Sequence, residues 1–199
     1  MRIALRLLVA LLIGGTCLSV RADERIKVHE ENADARLAAA YARAVGVKPL
    51  DLRSGDQVRI WFEGLMSGDV EGHLLARGHA RTCTLTTDYH AYENDDKGQA
   101  YDPVVIVHKG RCKSITVELP RIEDAMRHLP EALEFNGQKF DCPDVEDGWS
   151  GIVEGVVGGE RFTFSLSNVN FCMDEERFKP LAEWLRVFEV LYRDPAELD

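Results

Sequence analysis

Four cysteines, Cys83, Cys112, Cys142 and Cys172, punctuate the chain at intervals of 29, 30 and 30 residues. If they are bridged, distant segments must come within about 7 Å of one another at Cα, which removes most conceivable topologies. Bridging depends on compartment, because disulfides persist in oxidising surroundings and are rare in the cytosol.

The first 22 residues bear on that question. Arg2 and Arg6 give a positive start, Leu7 to Ile13 is an unbroken apolar run, and Ser19-Val20-Arg21-Ala22 places small residues where a signal peptidase cuts. This is the order of a secretory signal peptide, 1–22, with residues 23–199 as the exported chain. A spanning helix needs about 18 apolar residues in a row, and Gly, Thr, Cys and Ser interrupt this run, so no transmembrane segment is expected in the mature chain. A lipoprotein start, with Cys17 acylated, would want Gly, Ala or Ser where Thr16 stands. The expected location is therefore periplasmic or extracellular, and four remaining cysteines in an exported chain argue for two bridges.

Strand arithmetic favours one pairing. Residues opposed in an antiparallel hairpin have numbers of nearly constant sum. The Gly158-Gly159 pair, between Ile152–Val157 and the alternating Phe162, Phe164 and Leu166, is a strong hairpin signal and sets a sum of 317. Cys142 and Cys172 sum to 314. A turn over Asp95–Gly98 sets about 193, and Cys83 and Cys112 sum to 195; Lys109-Gly110 is an alternative turn that would not give this sum. Cys83–Cys112 and Cys142–Cys172 are the expected bridges.

Around them the pattern is mixed. Leu37, Tyr41 and Val45 recur at helical spacing over Glu30–Val45, with Gly46 placed to stop the helix. Val58, Ile60 and Phe62 alternate as a strand; so, less cleanly, does 73–85, followed by Val104–Val107 and by Ile115, Val117 and Leu119. Residues 121–134 suit a short helix that Pro130 breaks or bends. Leu181, Trp184, Leu185, Phe188, Leu191 and Tyr192 give 175–193 a broad apolar face. The expectation is one α+β domain: an antiparallel sheet of about five to seven strands packed with an N-terminal and a C-terminal helix.

Charge narrows the partners. The chain has 24 Lys+Arg against 34 Asp+Glu, a net −10; removing Arg2, Arg6 and Arg21 with the leader leaves 21 against 34, or −13. Such a surface repels phosphate backbones, so no nucleic-acid partner is expected, and it attracts cationic ones.

Catalytic motifs fail on inspection. Gly148-Trp149-Ser150-Gly151 resembles a nucleophile elbow, but that turn needs G-x-S-x-G and position 152 is Ile. Glu93–Gly98 resembles a calcium loop, but with Gly98 sixth, Lys97 and Val104 stand where oxygen ligands belong. Asp141, Asp144, Glu146 and Asp147 fit no known calcium cage. None of the six histidines makes a zinc pattern. No catalytic residue, metal or cofactor is assigned.

Two features remain. Arg77, His79 and Arg81 alternate and would share one strand face as an anion-binding strip. Tyr89, Tyr92, Glu93, Asp95, Asp96 and Tyr101 gather aromatics and carboxylates suited to a cationic protein, a peptide or a small ligand. The leading expectation is a non-enzymatic binding or inhibitor-like module. The alternatives are an envelope hydrolase whose carboxylates and histidines converge only in three dimensions, and an assembly protein using the apolar face of 181–192.

Overall fold

The computed structural model describes residues 23–27, 32–53, 55–64, 68–90, 104–142, 149–168, 171–172 and 174–189. The leader 1–22, with Cys17, lies outside them. Nine strands among the described residues form one sheet: β1 Glu24–Lys27, β2 Gln57–Gly64, β3 Asp69–Ala76, β4 His79–His90, β5 Val104–Val107, β6 Arg111–Ile115, β7 Lys139–Asp141, β8 Trp149–Val157 and β9 Glu160–Ser167. The order is β1-β5-β4-β3-β2-β8-β9-β7, with β6 on β4 beside β5, and every pair is antiparallel except β7–β9.

The expected count of five to seven strands was too low, for physical reasons. The stretch 73–85 is two strands folded at Arg77-Gly78, where Gly78 takes φ +83°, a conformation that costs glycine little. Strands β1 and β7 have four and three residues, too short for alternation to register. The strand predicted through Leu119 ends at Ile115. Leu119 instead opens a helix, with Pro120 in the first turn, where its missing N–H costs nothing.

Among the described residues three α-helices accompany the sheet: α1 Ala33–Ala44, α2 Leu119–His128, which continues as a 3₁₀ segment Leu129–Phe135 carrying Pro130, and α3 Lys179–Glu189. Helix α1 is 12 residues, about 18 Å long, yet touches β1 and β5 as well as β8 and β9. Six strand spacings separate β1 from β9, about 29 Å if flat. The sheet therefore curls around α1.

Both faces are covered, which is why β2 and β8 are buried on successive residues. On the α1 face, Ala38, Tyr41 and Ala42 pack with Trp61, Val70, Leu85, Val105 and Ile152. Trp61 lies flat over Gly72, where a Cβ would sit 2.3 Å from the indole. On the other face, Val58, Ile60, Val153, Phe162 and Phe164 meet Ile122, Leu129, Phe135, Leu181, Trp184 and Phe188. The apolar face of α3 is thus spent on the chain's own core as far as Glu189.

Each core holds one bridge, and both pairings match expectation. Cys83 and Cys112 are directly opposed on β4 and β6, with Cα atoms 4.0 Å apart. Cys142–Cys172 spans 5.8 Å. The second pairing arises by a different route from the one argued. Cys142 follows β7, which pairs with β9 in parallel on its far edge, so the Gly158-Gly159 hairpin is not what brings the cysteines together. No helix among the described residues is long and apolar enough to cross a membrane.

Candidate functional site

In register, one row of side chains crosses the sheet on the α2–α3 face: Gly151 on β8, Phe62 on β2, Glu71 on β3, Thr84 on β4 and Arg111 on β6. The helices cover this face where Val58, Leu75, Ala80 and Ile115 lie, and stop short of the row. What remains is an open cleft of about 740 Å³, lined by Phe62, Glu63, Asp69, Glu71, Thr84, Thr86, Lys109, Arg111 and Trp149 among others.

The row sets out an aromatic group, an anion, a hydroxyl and a cation at successive strand spacings, about 14 Å from Phe62 to Arg111. Its aromatic end is rigid: Phe62 and Trp149 meet edge to face with centroids 4.9 Å apart, and Gly151 leaves room for the indole, since a Cβ there would approach it to 3.2 Å. Glu63 is held from two sides. The buried Tyr41 hydroxyl of α1 donates to Oε2 at 3.2 Å, and Thr87 Oγ1 lies 2.9 Å from Oε1. Burial first, and the Glu63 carboxylate second, push the Tyr41 phenol far above its ordinary pKa, so it stays a donor. Thr87 is fixed in turn by Gly68, whose carbonyl accepts from the Thr87 backbone N–H at 2.6 Å. Gly68 has φ +65°, and a Cβ there would strike the Thr87 carbonyl at 2.3 Å.

His73 lies one row further in, its ring edge-on to Phe62 and its Nε2 3.6 Å from Glu71 Oε1. Burial lowers its pKa to about 4, so at neutral pH an uncharged imidazole stands beside the carboxylate. Two carboxylates, Asp69 and Glu71, and a π-face on one side, with Lys109 and Arg111 on the other, can hold a ligand bearing a cation at one end.

A second polar centre is buried on the α1 face. Arg59, 4% exposed, donates through Nη1 to Glu154 Oε1 at 3.3 Å and through Nη2 to the Lys48 carbonyl at 2.6 Å. Desolvation dominates both partners, lowering the guanidinium pKa and raising that of Glu154 against the pull of Arg59.

Of the residues singled out in the sequence, Tyr89 stands 59% exposed near the end of β4. Its neighbour Asp88 holds His108 Nε2 at 2.8 Å, with Asp23 3.4 Å from Nδ1, and the Asp88 hydrogen bond leads the causes that raise the His108 pKa. Tyr92, Glu93, Asp95, Asp96 and Tyr101 lie outside the described residues, as do Asp144, Glu146 and Asp147. Ser150 is paired within β8, between Glu63 and Ser167, and not on a sharp turn. His79 and Arg81 alternate on β4, whereas Arg77 belongs to the turn before it. No group of three or more His, Cys, Asp or Glu among the described residues is placed to hold a metal. Sequence reasoning missed Glu71, Thr84, Arg111 and Trp149 as a unit, because only strand register aligns them. Neither the protein-family models nor the curated proteins compared with the chain gave a match.

Proposed function

We propose that this chain is an exported binding module that receives a small polar or peptide ligand with a cationic group in the cleft between Trp149 and Arg111. The observation that carries the reading is the row Phe62–Glu71–Thr84–Arg111, left open by the helices and ending in a fixed aromatic pair. Glu71 and the indole face take the cation; Arg111 and Lys109 take an acceptor at the ligand's other end. The −13 charge of residues 23–199 steers such ligands inward, and export is supported by the leader-like start and the two bridges. The exposed Tyr89 favours a second seat for the same cationic chemistry, on the acidic tyrosine segment Tyr89–Tyr101.

Trp61 and Trp184 are each 1% exposed, so Trp149 is the tryptophan that a ligand in the cleft reaches. Titration with tri-lysine at low ionic strength is expected to shift the tryptophan emission with a Kd of about 0.1–1 mM. Binding should weaken with added salt and about fivefold in Glu71→Gln. No change in emission or heat up to about 10 mM peptide, or an unaltered affinity in Glu71→Gln, would contradict the reading.

A further inference from the structure

Strand β2 runs from Gln57 to Gly64, so the cleft above lies at one end of it. At the other end, about 20 Å away, the α1 face gathers cations. Arg59 and Arg81 share a row through Leu74, and His79 shares the next row with Gln57 through Ala76. Arg161 belongs to that same row, opposite Val156. The segment that follows α1 passes over them and brings in Lys48. Between lies a cavity of about 330 Å³ lined by Lys48, Arg59, His79 and Arg81 among others, adjoining a second concavity that shares Lys48 and Pro49 and adds Arg53 and Arg161.

We propose that this corner is a binding site for a small anion carrying a phosphate or carboxylate group. Three observations converge on it. The carboxylates closest in sequence and register are already engaged: Glu154 with Arg59, Asp51 with the Arg53 backbone N–H at 2.9 Å, and Asp56 with the Gly158 N–H at 2.8 Å. Among the described residues, the side chains of Lys48, His79 and Arg81 have no carboxylate and no hydrogen-bond acceptor, in a chain where acids outnumber bases 34 to 24. Elsewhere Arg43, Arg121, Arg127, Lys139 and Lys179 each take a carboxylate. Finally, the wall is fixed. Arg59 is buried and tied to both Glu154 and the Lys48 carbonyl, which sets the main chain of Lys48 over the cavity.

The end of α1 adds no competing acceptor, since the Tyr41, Ala42 and Arg43 carbonyls receive the N–H groups of Val45, Val47 and Gly46. Size and charge select the ligand. A cavity of this volume admits a small molecule, and the acidic remainder of the surface opposes polyanions and anionic bilayers. Guanidinium and ammonium donors lining one cavity suit an oxyanion.

Calorimetric titration of the full chain with inorganic phosphate and, separately, with succinate tests this at low ionic strength. A Kd near 1 mM is expected for at least one of them, and the tighter of the two identifies the group recognised. Lys48→Gln and Arg81→Gln should each weaken it about tenfold, and the double variant should abolish measurable binding. Arg127→Gln, an exposed residue paired with Asp124 on α2, should bind as the unaltered chain does. These substitutions are at exposed positions, so loss of folding does not blur the result. No heat with either anion up to about 20 mM, or undiminished binding in the double variant, would overturn the proposal.

Discussion

The two faces of the curled sheet are built from different materials. Under α2 and α3 the core is rings: Phe135, Phe140, Phe162, Phe164, Phe178, Trp184 and Phe188 touch one another in a chain of edge-to-face, tilted and stacked contacts. Under α1 the core is largely aliphatic, with Ile26, Val70, Leu74, Leu85, Val105 and Ile152 around Trp61 and Tyr41, and the same face keeps Arg59 and Glu154 inside. An aromatic face gains from area and dispersion and has no charge to desolvate. A buried ion pair gains little net stability against an apolar replacement, because removing both ions from water offsets their attraction. The difference teaches where stability and recognition reside. The ring-lined core holds the fold and leaves one strip of its face open as the cleft, while the α1 face keeps charge inside, Glu63 beside Tyr41 and Arg59 beside Glu154, and Arg59 forms the wall of the second site.

The sharpest break in that comparison is Trp184→Ala. It removes an indole 4.3 Å from Phe188 and 5.7 Å from Phe164, along with its N–H donation to the His128 carbonyl. Urea unfolding should show a loss of about 4 kcal/mol. Arg59→Met comes next, at about 3 kcal/mol, because Glu154 is left buried and unpaired; Arg59→Met with Glu154→Leu should recover most of it. The deficit of the single variant has a defined pH dependence. The folded pKa of Glu154 is already raised by burial, and losing Arg59 raises it further, so the penalty is absent below the unfolded carboxyl value and grows as pH rises through the folded one.

His73 titrates in the opposite sense. Its folded pKa is lowered to about 4, so it supports the fold above about 6.5 and that support is lost as pH falls towards 4, by up to about 3 kcal/mol. His73→Phe should flatten the acid limb of a stability–pH curve. The smallest effect belongs to the surface. Arg127→Ala breaks an exposed pair with Asp124 and should move the unfolding midpoint by about 0.5 kcal/mol or less.

Much of this architecture was legible because it is local. The Gly158-Gly159 hairpin, the stop of α1 at Gly46 and the apolar stripe of α3 are each set by residues within a turn or two of one another, although α1 begins at Ala33 and not at the expected Glu30. The Arg77-Gly78 turn was hidden because it interrupts a continuous run of strand-like residues. The Cys142–Cys172 pairing was foreseen through the wrong route, since nothing in the sequence marks β7 as a parallel neighbour of β9. The sites were less legible still. Phe62, Glu71, Thr84 and Arg111 are far apart in sequence and become a row only when three registers are fixed together. His79 and Arg81 were visible as an alternating pair, but the Lys48 segment that closes over them was not.

Hydrogen–deuterium exchange of the full chain, with and without saturating tri-lysine, tests the central claim that the uncovered strip of the α2–α3 face is the ligand site. Protection of the backbone at 62–64, 69–71, 84–86, 109–111 and 149–151, with or without protection at 89–101, is the predicted result. Protection at 89–101 with none at those five positions would instead seat the ligand on the tyrosine segment and contradict the claim, as would no protection anywhere.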